Sequence, residues 1–239
     1  MIVVVFALEA EFRPWRAQRD FHRVDSGWPA IYEGALGSSC VRAAICGVGA
    51  RTLAGAAARL FTGADAVAVA GLAGALRSEY AIGDVLVARS VRRAGGPGDD
   101  VVLPTAPSLL SIASQCGARV VDSFLTAERI ISRAADKHRL GADDAVEMES
   151  YPVLREAARR GVPGVAIRAV GDVVDEDLPF DFTDAIAGDG TLRKVVLLRQ
   201  ALSRPSRWPM LVRFGAAQQR ALAELAVFLD RFVVALVER

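Results

Sequence analysis

Three carboxylates stand where apolar runs end, and that placement is what could do chemistry. Glu149 falls where the run AVEM gives way to a helical pattern, and Asp172 closes a second run, GVAIRAVGD. Glu11 follows the first apolar run of the chain, IVVVFAL at residues 2–8. Continuous runs of β-branched and aliphatic residues suit strands buried on both faces. Ligands of open α/β sheets bind beyond the carboxyl ends of the strands. Residues 145–175 therefore read as strand, helix, strand, a unit that delivers Glu149 and Asp172 to one rim. Carboxylates held together out of water act as general acid, general base or stabiliser of a cation, according to which of them keeps its proton. Glu9 and Glu11 have a second, equally weighted reading as acids opening a helix, where the dipole favours them.

The elements that must position these acids can be taken in order. Residues 30–37 and 39–46 predict a strand pair joined by a tight Gly-Ser turn. GVG at 47–49 then leads into a helix, a strand-to-helix turn whose backbone could also hold an anion. Residues 64–70 predict a buried strand, followed by GLAGAL, whose small side chains admit close approach of a ligand. VLVARSVRR predicts another strand, AGGPGDD an exposed loop, 106–115 a helix and 119–125 a strand. Residues 126–140 predict a helix with Thr126 as N-cap, and 178–183 a loop over the rim. The alternation gives an α/β class, and 239 residues suit one domain spanning 1–239.

A net charge of +1 leaves no nucleic-acid footprint for the molecule as a whole. Apolar runs stay short of the roughly 20 residues needed to cross a bilayer, and MIVVVFALEAEF reads as a first strand rather than a leader. Cys40, Cys46 and Cys116 show no CxxC spacing, which points to a reduced, cytoplasmic protein. Cys46 reads as a buried small hydrophobe before it reads as a nucleophile. His22 and His138 read as surface residues, with no metal site at ligand spacing. The composition shifts near residue 190. From Gly190 to Ala223 there is no acid, but there are Arg193, Lys194, Arg199, Arg204, Arg207, Arg213 and Arg220 among many apolar residues. Pro205 and Pro209 divide this basic apolar tail into two helices. Such helices either pack on the domain or lie on a membrane surface, the contact then running through residues 193–214 with peripheral membrane association.

Taken together these segments resemble a family, the purine and uridine nucleoside phosphorylases and the methylthioadenosine/S-adenosylhomocysteine nucleosidases. ALEAE (7–11), GVG (47–49), GLAGAL with IGDVLVA (71–87), AVEMES (145–150) and RAVGDVVD (168–175) resemble the family's segments in its order. LRKVVLLRQALSRPSRWPMLVRF resembles the tail of a bacterial subgroup, the hopanoid-associated phosphorylases. The resemblance implies a three-layer αβα nucleoside phosphorylase-like fold, with a mixed central sheet flanked by helices, and a homo-oligomer, a dimer first. It implies cleavage of a purine N-glycosidic bond with release of adenine, the subgroup pointing to adenosylhopane, a lipid-linked nucleoside. Methylthioadenosine or S-adenosylhomocysteine is the alternative substrate, and a non-catalytic nucleoside- or lipid-binding protein the alternative function.

By the same resemblance Asp172 is the general acid at purine N7, and Glu11 activates water. Glu149 holds the ribose hydroxyls, Met148 packs on the sugar, Ile130 and Ile131 flank the purine, and Glu147, Gly71 and Ala73 complete the substrate site. No metal or organic cofactor is implied, inorganic phosphate being a candidate co-substrate. Water and phosphate both stay open as the acceptor. Glu11 favours water, while Leu72 stands where the nucleosidases carry a serine. Gly47, Gly49, Arg13 and Arg51 are the candidate phosphate ligands, and the subgroup tilts the choice to phosphate.

Overall fold

The computed structural model describes all of the chain except residues 26, 37–38, 95–100, 181 and 239, and the side chains of Thr183 and Lys194. The expected Gly-Ser turn and the AGGPGDD loop fall largely outside the described residues. β1 (Ile2–Phe6), β4 (Ser39–Ile45) and β5 (Ala66–Ala75) run parallel in one mixed ten-stranded sheet. β3 (Ala30–Leu36) and β2 (Phe21–Arg23) extend it antiparallel past β4. Beyond β5 lie β10 (Gly164–Asp172), β6 (Val85–Arg93), β8 (Arg119–Thr126) and β9 (Ala145–Glu147), and β9 pairs back to β5. Short β7 (Val102–Pro104) pairs with β6.

The sheet is therefore not simply open. Five strands close on themselves and share β5 with the open half. This revises the expected strand–helix–strand unit. β9 is antiparallel to β5 while β10 is parallel to it, so β9 and β10 flank β5 from opposite sides and run in opposite senses. Gly74 of β5 is the meeting point, paired with Val146 on one side and Asp172 on the other. That is why the ends of the two strands still arrive at one place.

Helices cover both faces, as a three-layer fold requires. α1 (Glu9–Arg16), α3 (Pro107–Gln115) and α7 (Trp208–Val237) pack on one side, α2 (Leu53–Phe61) and α5 (Ser150–Ala158) on the other. The buried stripe of α7 runs from Ala221 through Leu225, Phe228 and Leu229 to Phe232, at helical spacing. α6 (Lys194–Ser203) precedes it across a 3-10 turn at Pro205–Arg207, as the two prolines imply. Among the described residues no helix is long and apolar enough to cross a membrane.

The helix expected over 126–140 is confined to α4 (Ala134–Arg139). Thr126 ends β8 instead of capping a helix. Its hydroxyl donates to Glu147 and accepts from the Tyr151 amide at 3.0 Å. Ala127 N–H goes to Glu147 O (2.7 Å), so pairing with β9 outcompetes the helical pattern here. The N-terminus of α4 is held by Asp177, which accepts from Ala134 N–H at 2.8 Å.

One face of the sheet depends on an aromatic cluster. Phe12, fully buried on α1, lies 5.4 Å from Phe6 and 5.1 Å from both Phe21 and Tyr32, ring centre to ring centre. Phe12→Ala should cost about 3–5 kcal/mol, read as a lowered midpoint of urea unfolding at unchanged slope.

Candidate active site

A cavity of about 160 Å³ opens where β1, β5, β9 and β10 meet, and Glu11, Glu149 and Asp172 all line it. Met148, Ala73, Ile130, Ile131 and Glu147 line it as well. Gly71 lies behind it. A side chain at Gly71 would bring its Cβ within 2.6 Å of both Arg168 Nη1 and Glu11 Oε1, so β5 passes between those charges only as glycine.

Glu11 sits in the first turn of α1 and points back into the cavity, so both readings of the early acids hold at once. Its Oε2 accepts from the amides of Ala7 and Leu8 (3.0 Å each), and its Oε1 from Leu72 N–H (3.0 Å). Burial pushes its carboxyl up from the ordinary range, and Arg168 and the amides oppose that. Glu149 precedes α5 and accepts from Gly49 N–H at 3.0 Å. Burial pushes it up to about 7; Arg168 counters this, while Glu147 and Glu11 add repulsion. Asp172 ends β10. Burial raises its carboxyl too, against the Lys137 ammonium.

Two cations that the sequence reading passed over organise these acids. Arg168, 1% exposed, donates through Nη2 to Glu147 and to Ser150 Oγ (3.0 Å), and lies 3.3 Å from Glu149. Glu147 in turn accepts from the amides of Glu149 (2.8 Å) and Ser150 (2.7 Å), fixing the start of α5. Although Glu147 reaches the cavity wall, its oxygens are engaged in this clamp. Lys137, fully buried on α4, donates to Asp172 Oδ1, to Val173 O (2.7 Å) and to Glu176 O (3.0 Å). One signal for Arg168 was available. A lone arginine inside a strand buried on both faces must meet acids. Lys137 had none, because it sits in a charged stretch beside Arg133 and Arg139.

The candidate phosphate ligands lie differently. Gly47 and Gly49 take positive φ (77° and 75°), the backbone of a tight turn. The amides there are engaged, Gly47 with Ala7 O (3.0 Å), Val48 with Gly190 O (2.9 Å) and Gly49 with Glu149. Arg51 donates to Ala187 O (3.1 Å) and Gly188 O (3.3 Å). Arg13 is exposed and borders a separate cavity with Trp28 and Leu192. Cys46 is buried, and burial followed by the Glu149 charge pushes its thiol up to about 12, which suits packing rather than nucleophilic attack. His138 is exposed beside Asp175 at 2.9 Å. Among the described residues no group of three or more His, Cys, Asp or Glu could hold a metal ion.

The fold belongs to a known family. The profile of the phosphorylase superfamily matches residues 2–201, and the chain is a member of it, an enzyme of the nucleoside phosphorylase or nucleosidase class. Among solved structures it is similar to the futalosine hydrolase of Helicobacter pylori, with 19% identity, a TM-score of 0.73 and coverage of 97% of this chain and 96% of that one. It is equally similar to the methylthioadenosine/S-adenosylhomocysteine nucleosidase of Neisseria meningitidis in complex with methylthio-immucillin-A, with 20% identity, a TM-score of 0.73 and 98% of both chains covered. An aspartate-to-asparagine variant of the Helicobacter pylori nucleosidase, holding 5'-methylthioadenosine in its active site, matches at 19% identity and a TM-score of 0.73 over 97% of both chains.

The raised carboxyls carry a pH signature. Below the ordinary carboxylate value of 4.5, Glu149 is protonated whether the chain is folded or not. As pH rises the unfolded chain releases that proton first, and the native state keeps it until about 7. The contribution of Glu149 is therefore present in acid and lost as pH rises through that window. Unfolding free energy of Glu149→Gln, measured by urea titration from pH 5 to 8, should fall less steeply than that of the parent protein.

Proposed function

We propose that this protein cleaves the N-glycosidic bond of an adenine nucleoside with water, releasing adenine. The observation that carries the reading is the convergence of Glu11, Glu149 and Asp172 on one small cavity. The purine sits between Ile130–Ile131 and the β5 backbone near Ala73. The ribose rests on Met148, with its hydroxyls on Glu149. As the bond from the anomeric carbon to nitrogen breaks, its electron pair goes to the base, and Asp172 gives a proton to N7. Water adds to the anomeric carbon and passes its proton to Glu11, while carboxylate charge stabilises the cationic sugar. Lys137 acts through Asp172 as a positioning residue, holding Oδ1 so that Oδ2 faces the base. Water is better supported than phosphate because the amides at 47–49 already have partners and Arg51 turns its Nη1 to the carbonyls of Ala187 and Gly188.

For the substrate we favour adenosylhopane over methylthioadenosine or S-adenosylhomocysteine. The support is a second cavity of about 500 Å³ that shares Asp172 and Leu178 with the first and runs beneath Met210 and Phe214, with Ile82 and Pro179 in its walls. Its lining also holds Glu176, Asp177 and Arg213, and an apolar substituent that turns back from the ribose along Leu178 would meet Ile82, Pro179, Met210 and Phe214 there, a surface that a small nucleoside leaves unused. Adenine release from adenosine, methylthioadenosine and adenosylhopane, with and without phosphate, tests the reading. Release should be fastest from adenosylhopane and indifferent to phosphate. Binding of all three without any release would mark a non-catalytic binding protein.

Asp172→Asn should lower adenine release by about 10²–10⁴-fold; full activity in that variant would remove Asp172 from the chemistry. The acid must be protonated to work, so the rate falls as pH rises through its pKa. Lys137→Met removes the charge that lowers that pKa. The descending limb of kcat/KM against pH should therefore move to higher pH, and a limb that stays in place would show that Lys137 does not act through Asp172.

A further inference from the structure

The buried stripe of α7 begins at Ala221, so about half of that helix, together with α6, stands outside the core. Trp208 ties the two helices of this hairpin to each other, and Arg207, Phe214 and, at 3.4 Å from Glu176, Arg213 tie it to the domain. Trp208 Nε1 donates to Ala201 O (2.8 Å), Arg207 Nη1 to Pro179 O (2.9 Å), and the Phe214 ring stacks on Phe182 at 5.8 Å. Its outer side is apolar and uncovered. Of the eleven large hydrophobic residues exposed among the described residues, six lie between 195 and 212: Val195, Leu198, Leu202, Trp208 and Val212, with Met210 at the cavity mouth. Val195 is 78% and Val212 71% exposed, where a packed helix would have buried them. Positions 195, 198 and 202 form one stripe of α6. A concentrated apolar patch on a folded chain marks a contact surface.

The charges decide which surface it meets. Arg193, Arg199 and Arg204 are exposed around the patch, Arg207 and Arg213 are exposed but turned to Pro179 O and Glu176, and the sequence has no acid from Gly190 to Ala223. The seven cations of that stretch, set against a net charge of +1, leave −6 on the remainder (1 − 7 = −6). Two copies meeting through this patch about a two-fold axis would set like charge against like. We infer that the α6–α7 hairpin docks the protein on an anionic lipid bilayer, with the apolar stripe in the headgroup boundary and the arginines on lipid phosphates. Docking would bring the mouth of the 500 Å³ cavity, bordered by Met210, Arg213 and Phe214, to the bilayer. That last consequence rests on the proposed substrate; the docking itself does not.

Flotation of the full chain with vesicles tests it, using phosphatidylcholine alone and an equal mixture of phosphatidylcholine and phosphatidylglycerol. Binding to the anionic vesicles alone, weakened by added salt, is expected. Arg199→Ser with Arg204→Ser should lower partitioning roughly 30-fold, and Leu198→Ser with Leu202→Ser should abolish it. Both variants should keep the parent's far-ultraviolet circular dichroism and its cleavage of a water-soluble nucleoside. Equal binding to both vesicle types, no binding to either, or a concentration-dependent oligomer that the leucine variant dissolves would each overturn the inference. A protein that floats with anionic vesicles but releases no adenine would leave the docking standing and remove the proposed activity.

Discussion

A guanidinium with almost no access to water faces three carboxylates, and the rest of the site depends on that arrangement. Arg168 is the counter-charge for Glu147, Glu149 and Glu11 together. Removing one partner of a buried ionic cluster costs about 3–5 kcal/mol, far more than the intact cluster contributes. The cluster is thus weak evidence for stability and strong evidence for a constraint on geometry. Glu147 takes the closest position and holds the start of α5 through two amides. Glu149, two residues on, keeps a longer contact and stays pushed up to about 7. One arginine therefore sorts two neighbouring acids into different roles, a fixed clamp and a group that can respond to a ligand.

The second cation works on the other wall. Lys137 comes from α4, a short helix that exists only because Asp177 holds its first amide and the preceding residues have left the strand. Its ammonium is saturated by Asp172 and two carbonyls, so it moves little and fixes one carboxylate oxygen. Residues 127–133, which leave the sheet after the last bond to β9 at Ala127, put Ile130 and Ile131 over the same cavity. The interruption of a helical pattern is here what supplies an apolar wall to the cavity.

The C-terminal part joins these walls to the outside. Gln218 of α7 donates to Gly171 O (2.7 Å), one residue from Asp172, and a Cβ at Gly171 would lie 2.9 Å from the Gln218 amide nitrogen. The helix that packs the core with its second half thus touches the acid's strand in the middle and leaves its first half uncovered. A chain selected only for packing would not leave Val195, Leu198 and Val212 in water.

The α/β class and most strands were legible in the chain order, because each depends on local pattern, while the three-layer arrangement came from the resemblance. Runs such as IVVVF and VAIRAV declare buried strands wherever they end up, and an acid at the end of such a run is marked by contrast with what precedes it. Pro205 and Pro209 announced the break between α6 and α7 in the same way. Partnership was not legible. Nothing near Gly74 says that Val146 and Asp172 will pair with it from two sides, nothing in TAERIIS says that β9 will claim Thr126, and nothing around Lys137 separates it from its charged neighbours. Strand pairing and ion pairing are choices among distant segments, settled by which arrangement leaves no buried charge or amide without a partner. That requirement belongs to the closed sheet as a whole, so tertiary structure alone could meet it.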